Sequence, residues 1–312
     1  MLQHFVDTLD FKLFYKFIET LGSEISVLRI PVINKMALKS NHYWLMQVLG
    51  RMPKLHTVKF HRNNANVGQD FFKFMGKGMS YMQKEGRQFK KMSFNEITGS
   101  GRSGDQFYSV LKYHPNLISL NISNIGVTLA QDEAKAIGKI LADYKFIREL
   151  DVSGTNLNLT TAKEIADGLM RAKALEIFKC KNNISMGKTL DTIIYNLAFS
   201  PKIKMIDLSN CGTVSKDTAE AVYKLLKISG AIELLVMRET GVSAHLSEDF
   251  FKALGENKTL SYLNLDEKSA VTQTQINLLA KALAMNTFKN GSLEALSIRT
   301  WMSTYKFAEG FF

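Results

Sequence analysis

The chain has 312 residues, 46% of them hydrophobic and 22% charged, which is the balance of a globular protein. No apolar run approaches the roughly 18 residues that a membrane span needs, and Asp7, Asp10 and Lys12 interrupt the apolar start, which excludes a secretory signal. Two cysteines provide no disulfide framework and favour a reducing compartment, so we expect a cytoplasmic protein.

The net charge of +11 comes from 40 lysines and arginines against 29 acids. A basic balance favours acidic protein surfaces, anionic lipids or nucleic acid as partners. Lysines scattered over a solvated exterior are the alternative explanation.

Residues 1–24 carry apolar side chains at helical spacing. The positions that define this face are Phe5, Leu9, Leu13, Phe14, Phe17, Ile18 and Leu21. We predict an N-terminal helical cap over 1–24, because a solenoid needs a cover on its open end.

A pattern of the form L-x-x-L-x-L-x-x-N/C/T then recurs along the chain, and Ile147, Leu150, Val152 and Thr155 illustrate it. Its first position falls at residues 25, 55, 89, 117, 147, 175, 203, 232, 260 and 293, with spacings of 28 to 34 residues. Repeats of this length predict an α/β leucine-rich repeat solenoid (horseshoe) over residues 25–300. Each repeat is a strand, a turn and a helix, with a parallel sheet on the concave face and helices on the convex face.

Helix starts are predicted from pairs of the form S/T-x-x-E/Q, in which two side chains cap each other's backbone amides. Three such pairs occur, at Thr128–Gln131, Thr161–Glu164 and Thr272–Gln275.

The segment 301–312 is aromatic-rich and too short for a complete repeat. We predict a truncated repeat of a longer array, a tail folded back as a partial cap, or an edge covered by a partner.

No catalytic constellation is found in the sequence. The Gly/Ser-rich stretch 98–105 lacks the Gly-Lys-Ser/Thr of a phosphate-binding loop, and the six histidines form no zinc-protease pair. We therefore expect a protein that is not an enzyme and has no cofactor or metal.

Variable positions beside the fixed strand residues point away from the core, because side chains alternate along a strand. In the later repeats they form a predicted protein-binding surface of aliphatic, aromatic and charged residues. Its members are Asp151, Lys179, Lys181, Met205, Asp207, Leu234, Val236, Arg238 and Tyr262. Lateral packing between strands is the alternative explanation for the apolar members.

The early repeats carry a basic patch at the equivalent positions, and salt-sensitive contact with anionic membranes is one use for it. The patch consists of Arg29, Lys59, His61, Arg62, Lys90 and Lys91. Nucleic acid is not favoured, because no aromatic residues alternate with the cations and because Asp151 and Asp207 repel phosphates.

The repeats at Leu117–Ala142 and Ile147–Ala172 resemble the ribonuclease-inhibitor-like subfamily of leucine-rich repeats. The repeats are also similar to those of tropomodulin-type and CARMIL-type actin regulators, of ciliary axoneme subunits and of RanGAP-type GTPase activators. The resemblance implies a non-enzymatic scaffold that binds a protein through its concave face, in a cytoskeletal, axonemal or actin-regulatory assembly. A GTPase activator that uses Arg62 or Arg102 is the alternative.

Overall fold

The computed structural model describes residues 16, 20, 22–32, 48–62, 70–84, 86–95, 104–125, 129–186, 189–212, 214–267, 271–288 and 291–299. Strands alternate with helices along this part of the chain. The chain divides into two compact units, residues 1–155 and 156–312. Each unit is a run of strand–helix repeats, and the predicted α/β repeat fold is confirmed.

The first unit contains five parallel strands that pair in chain order. They are β1 (Val27–Val32), β2 (Thr57–Arg62), β3 (Lys91–Ser93), β4 (Ser119–Asn121) and β5 (Glu149–Asp151). Its helices are α1 (Asp70–Lys84), α2 (Gly104–Leu111) and α3 (Gln131–Asp143), and neighbouring helices pack against each other.

The second unit continues the same order with β6 (Ile177–Lys179), β7 (Met205–Asp207), β8 (Leu234–Val236), β9 (Tyr262–Asn264) and β10 (Ala295–Ser297). These strands are also parallel and paired in sequence. The helices are α4 (Leu159–Leu169), α5 (Thr189–Ala198), α6 (Lys216–Ile228), α7 (Glu248–Glu256) and α8 (Gln273–Phe288).

The fixed apolar positions of the repeat make the core. Leu150, Phe178, Ile206 and Leu235 sit at the centre of successive strands and are 0% exposed, while the residues on either side of each are half-buried. This alternation places one row of side chains against the helices and leaves the other row on the opposite face of the sheet.

The last fixed position of the repeat is buried, and where it is Thr, Asn or Cys it pairs backbone groups at the end of the strand. In the repeat that begins at Leu117 the position is the apolar Ile125. Thr155 and Thr240 donate to the carbonyl three residues earlier, at 2.7 and 2.8 Å. Asn183 donates from Nδ2 to the Cys180 carbonyl at 2.8 Å and accepts the Leu157 amide at 2.9 Å. The Cys211 thiol donates to the Cys180 carbonyl at 3.0 Å. The N/C/T preference therefore follows from the need to pair buried backbone groups.

The residue just before that position adopts a left-handed backbone in successive repeats. It is Asn124, Gly154, Asn182, Asn210 or Glu239, and φ of these five residues lies between 54° and 62°. Asparagine and glycine adopt this conformation at little cost, which explains their recurrence between strand and helix.

The predicted helix starts are correct in one case of three. Thr272 and Gln275 cap each other's amides at 3.0 and 3.2 Å, as expected. The pair Thr161–Glu164 is wrong, because Asn158 caps α4 and Thr161 lies three residues inside the cap. The pair at Thr128 is also wrong, because α3 is capped at Ala130, whose amide donates to Glu133 at 3.0 Å.

Three predicted regions fall wholly or partly outside the described residues. The cap over 1–24 is described at residues 16 and 20 and at its end, where Gly22–Glu24 form a short 3-10 turn. The tail 301–312 lies entirely outside, as do residues 98–103 of the Gly/Ser-rich stretch 98–105. Among the described helices, none combines the length and the apolar character required to cross a bilayer.

His114 is a buried titratable group at the centre of the first unit. It is 0% exposed, its Nδ1 accepts the Phe89 amide at 3.0 Å, and its Nε2 lies 3.0 Å from the Met79 sulfur. The accepting Nδ1 requires the neutral ring with its proton on Nε2. Burial lowers the pKa of His114 to about 3.

We predict that the free energy of unfolding depends on this ring below neutral pH. The unfolded histidine binds a proton near pH 6.5 while the folded one stays neutral until about pH 3. Stability therefore falls as pH drops below about 6.5, by about 2 kcal/mol between about pH 7.5 and about pH 5. Urea unfolding at the two pH values measures the loss. In His114→Gln, which keeps an acceptor for Phe89, this part of the pH dependence disappears; an unchanged dependence contradicts the assignment.

Three glycines of the second unit differ in how much an alanine substitution should destabilise the fold. At Gly212, with φ of 80°, an added Cβ comes against the Ile184 carbonyl oxygen. Gly241 has φ of 77° but open space, and Gly230 has open space and an ordinary backbone. We expect alanine to cost about 2–4 kcal/mol at Gly212, about 1 kcal/mol at Gly241 and close to nothing at Gly230. Chemical denaturation of the three variants measures the order, and equal losses would contradict it.

Candidate protein-binding surface

Four apolar side chains lie in one row across the strand face of the second unit. Strand register places Ile177 beside Met205, Met205 beside Leu234, and Leu234 beside Tyr262. All four are half-buried, whereas the next residue of each strand is fully buried. This set is called the apolar row below. Each member contacts its neighbours across about 4.8 Å of strand spacing and keeps the rest of its surface on the face.

A second row, with one lysine, one aspartate and one valine, lies beside the apolar row. Lys179, Asp207 and Val236 are neighbours by register, and all three are half-buried. Lys181 and Arg238 are exposed just beyond the strand ends. The Arg238 guanidinium contacts the Glu239 carboxylate at 2.6 Å. The strand register brings these residues together on one face of the second unit. That this face binds a protein stays a prediction.

The two aspartates of the predicted surface also have a structural task. Oδ1 of Asp207 accepts the Ser209 amide at 3.1 Å and the Ser209 hydroxyl at 2.8 Å. In the first unit, Asp151 accepts the Ser153 amide at 3.0 Å in the same way. Asparagine serves this role in other repeats, as at Asn121 and Asn264. These carboxylates turn the chain at the end of the strand, a role that the sequence analysis missed.

The basic patch of the first unit is partly described. Arg29, Lys59 and Lys91 are exposed on the strand face, and Lys90 is exposed immediately before β3. The side chains of His61 and Arg62 lie outside the described residues, although both backbones belong to β2. Arg102 is also outside, so GTPase activation through Arg62 or Arg102 stays a prediction.

The same face of the first unit changes sign from one strand to the next. Cations on β1, β2 and β3 give way to Ser119 and Asn121 on β4 and then to acids on β5. Ser119 donates to Glu149 at 3.0 Å, and Asn121 donates to Asp151 at 3.2 Å. A cavity of about 190 Å³ spans these strands, lined by Thr57, Val58, Lys59, Lys91, Met92, Ser93, Ser119, Asn121 and Glu149. Strand β4 thus fixes the two carboxylates of β5 by hydrogen bonds. The face changes from positive at β2 to negative at β5, a distance of about 15 Å.

Among the described residues, no group of three or more His, Cys, Asp or Glu side chains could hold a metal ion. A buried acid, Glu267, instead binds the backbone of the turn before α7. It accepts the Gly241 amide at 2.8 Å. Burial raises the pKa of the Glu267 carboxyl, and hydrogen bonds from Gly241, Ser243 and Thr240 oppose that rise. Its contacts are those of a turn, just beyond the end of β9.

Comparison with known proteins finds no matching family model and no matching curated protein. Among solved structures, actin-binding site 2 of leiomodin-1 is 16% identical, covering 51% of this chain and 90% of that one, with a TM-score of 0.39. A yeast structure of the Rad7–Elc1 complex is 12% identical over 84% of this chain and 75% of that one, with a TM-score of 0.42.

The C-terminal domain of tropomodulin from Caenorhabditis elegans is 12% identical, covering 56% of this chain and 87% of that one, with a TM-score of 0.30. Likeness at these levels assigns no family to this chain. The strand–helix repeats identify its fold, and membership of the ribonuclease-inhibitor-like subfamily stays a prediction.

Proposed function

We propose that this chain is a non-enzymatic scaffold that binds another protein through the strand face of its second unit. The observation that carries the proposal is the apolar row, four half-buried side chains held in register on four neighbouring strands. Strand faces of repeat proteins are extended surfaces suited to protein partners.

Lateral packing between strands accounts for part of the burial of these side chains, but it does not explain why all four are apolar. Polar residues serve equally well between strands, as Thr57 and Ser119 show in the same position of the first unit. Covering the exposed parts of Met205, Leu234 and Tyr262 contributes about 25 cal/mol for each Å² of apolar surface removed from water. Tyrosine is also a frequent anchor at the centre of interfaces.

The charged residues around the apolar row would orient the bound partner. Lys181 and Arg238 are exposed cations at the ends of β6 and β8, and the chain as a whole carries +11. Cations at the rim accelerate encounter with an acidic partner and fix its register more than they add affinity. An acidic protein with an apolar ridge is the partner class that fits this face.

The setting that we propose is a cytoskeletal assembly, because the repeat pattern resembles that of tropomodulin-type actin regulators. Filamentous actin is therefore the first purified partner to test by co-sedimentation. Capture from a cell lysate, followed by mass spectrometry, extends the test to other assemblies.

We predict that Leu234→Asp combined with Tyr262→Ala lowers the affinity for the captured partner at least tenfold. The aspartate places an unpaired charge in the contact, and the alanine removes the tyrosine anchor. Titration calorimetry or a pull-down with graded bait concentration measures the change. Circular dichroism checks that the variant is folded.

Ile184→Asp is the matched control, because Ile184 is an equally apolar residue, 66% exposed, that lies outside the apolar row. It should bind like the unmodified chain. If both variants bind normally, or if both lose binding equally, the strand face is not the contact surface.

A further inference from the structure

A second apolar and basic surface lies on a different side of the second unit, where helices end and strands begin. Parallel strands in one sheet bring every helix-to-strand loop of a unit to the same edge. The loops in question are 170–176, between α4 and β6, and 199–204, between α5 and β7. They are neighbours, because α4 packs on α5 and β6 pairs with β7.

Each of these helices ends in a large apolar side chain that faces solvent. Met170 is 57% exposed and Phe199 is 51% exposed, and at the end of α6 Ile228 is 47% exposed. Tyr195, one turn before Phe199, is 44% exposed and packs edge-on against it, with ring centroids 5.1 Å apart. Helices pack about 10 Å apart, so Met170, Phe199 and Ile228 form a line along the edge.

Cations surround this line. The two loops contain Arg171, Lys173, Lys202 and Lys204 against a single acid, Glu176, and all four cations are exposed. Lys204 contacts Glu233 of the next loop at 3.3 Å, and Lys173 lies 3.5 Å from the Met170 carbonyl. Exposed contacts of this kind are weak, so both side chains keep their charge available.

The combination of protruding Met, Phe and Ile with lysine and arginine is the chemistry of a surface that lies in a membrane interface. The apolar ends enter the boundary of the acyl chains, while long basic side chains extend to the headgroups. The residues of the apolar row are half-buried side by side on a sheet, whereas Met170, Phe199 and Ile228 are 47–57% exposed at the ends of three separate helices, an arrangement suited to insertion between lipid headgroups. We propose that this edge, called the loop edge, binds a bilayer that contains anionic lipid.

The proposal places membrane contact away from the basic patch of the first unit and away from the apolar row. The scaffold function does not depend on it. A bilayer held at the loop edge leaves the strand face open to a protein partner.

The test is flotation of the purified chain with vesicles of phosphatidylcholine, with and without phosphatidylserine. We expect binding that requires phosphatidylserine and weakens as salt rises. Lys173→Glu combined with Lys202→Glu should reduce the vesicle partition coefficient at least tenfold, because each cation near an anionic surface contributes about fivefold. Met170→Ser combined with Phe199→Ser should also reduce it, with no change in net charge.

Matched controls lie at the opposite edge of the same unit. Lys181→Glu and Ile184→Ser alter an exposed lysine and an exposed isoleucine there, and both should bind vesicles like the unmodified chain. Leu234→Asp with Tyr262→Ala should also retain vesicle binding, which separates this proposal from the scaffold function.

Three outcomes overturn the proposal: no binding to phosphatidylserine vesicles, equal loss in the loop-edge and control variants, or binding to soluble polyglutamate without binding to vesicles. The last outcome identifies the edge as a contact for an acidic polypeptide. The charge variant keeps the test valid if the serine variant does not fold.

Discussion

In the repeats of Thr155, Asn183, Cys211 and Thr240, the turn after the strand depends on one buried side chain that can form hydrogen bonds. The backbone must leave the sheet there and turn towards a helix, so its carbonyl and amide groups lose their partners inside the protein. Asn183 supplies both, donating to the Cys180 carbonyl and accepting the Leu157 amide. Thr155 and Thr240 supply the carbonyl contact alone. Without these contacts the buried turns would hold unpaired polar groups, at a cost of about 1–3 kcal/mol each.

The strands of the fold could be predicted from the sequence more accurately than the helix starts. Apolar positions such as Leu150 and Leu235 recur at fixed spacing because burial on one face of a strand leaves a periodic pattern. Helix starts were predicted less accurately. The N-cap residues of α4 and α3 are Asn158 and Ala130, which the threonine pattern does not identify. Many residues can cap a helix, and the competing threonine, Thr161, serves inside the cap. The sequence alone contains no measure of which competitor wins.

The candidate surface was predicted in its members but not in their roles. Alternation along each strand placed Met205, Leu234 and Tyr262 correctly on the open face. It gave no means of separating Asp207, whose carboxylate holds the Ser209 amide, from Lys181, which is exposed. Asp207 has two roles, because it accepts the Ser209 amide in the turn and also lies on the candidate surface. The loop edge was missed altogether, because Met170 and Phe199 look like ordinary helix residues until the helix ends are known.

The two thiols of the second unit have a chemical consequence of their own. Cys180 and Cys211 are both 0% exposed, and the Cys180 sulfur lies 3.4 Å from the sulfur of Met186. A thiol in such surroundings is inert until its repeat opens. The rate at which a cysteine reagent modifies either thiol therefore reports how often its repeat opens. Because alkylation is not reversed, a chain alkylated at Cys180 or Cys211 keeps a lasting chemical record of a past excursion from the native state.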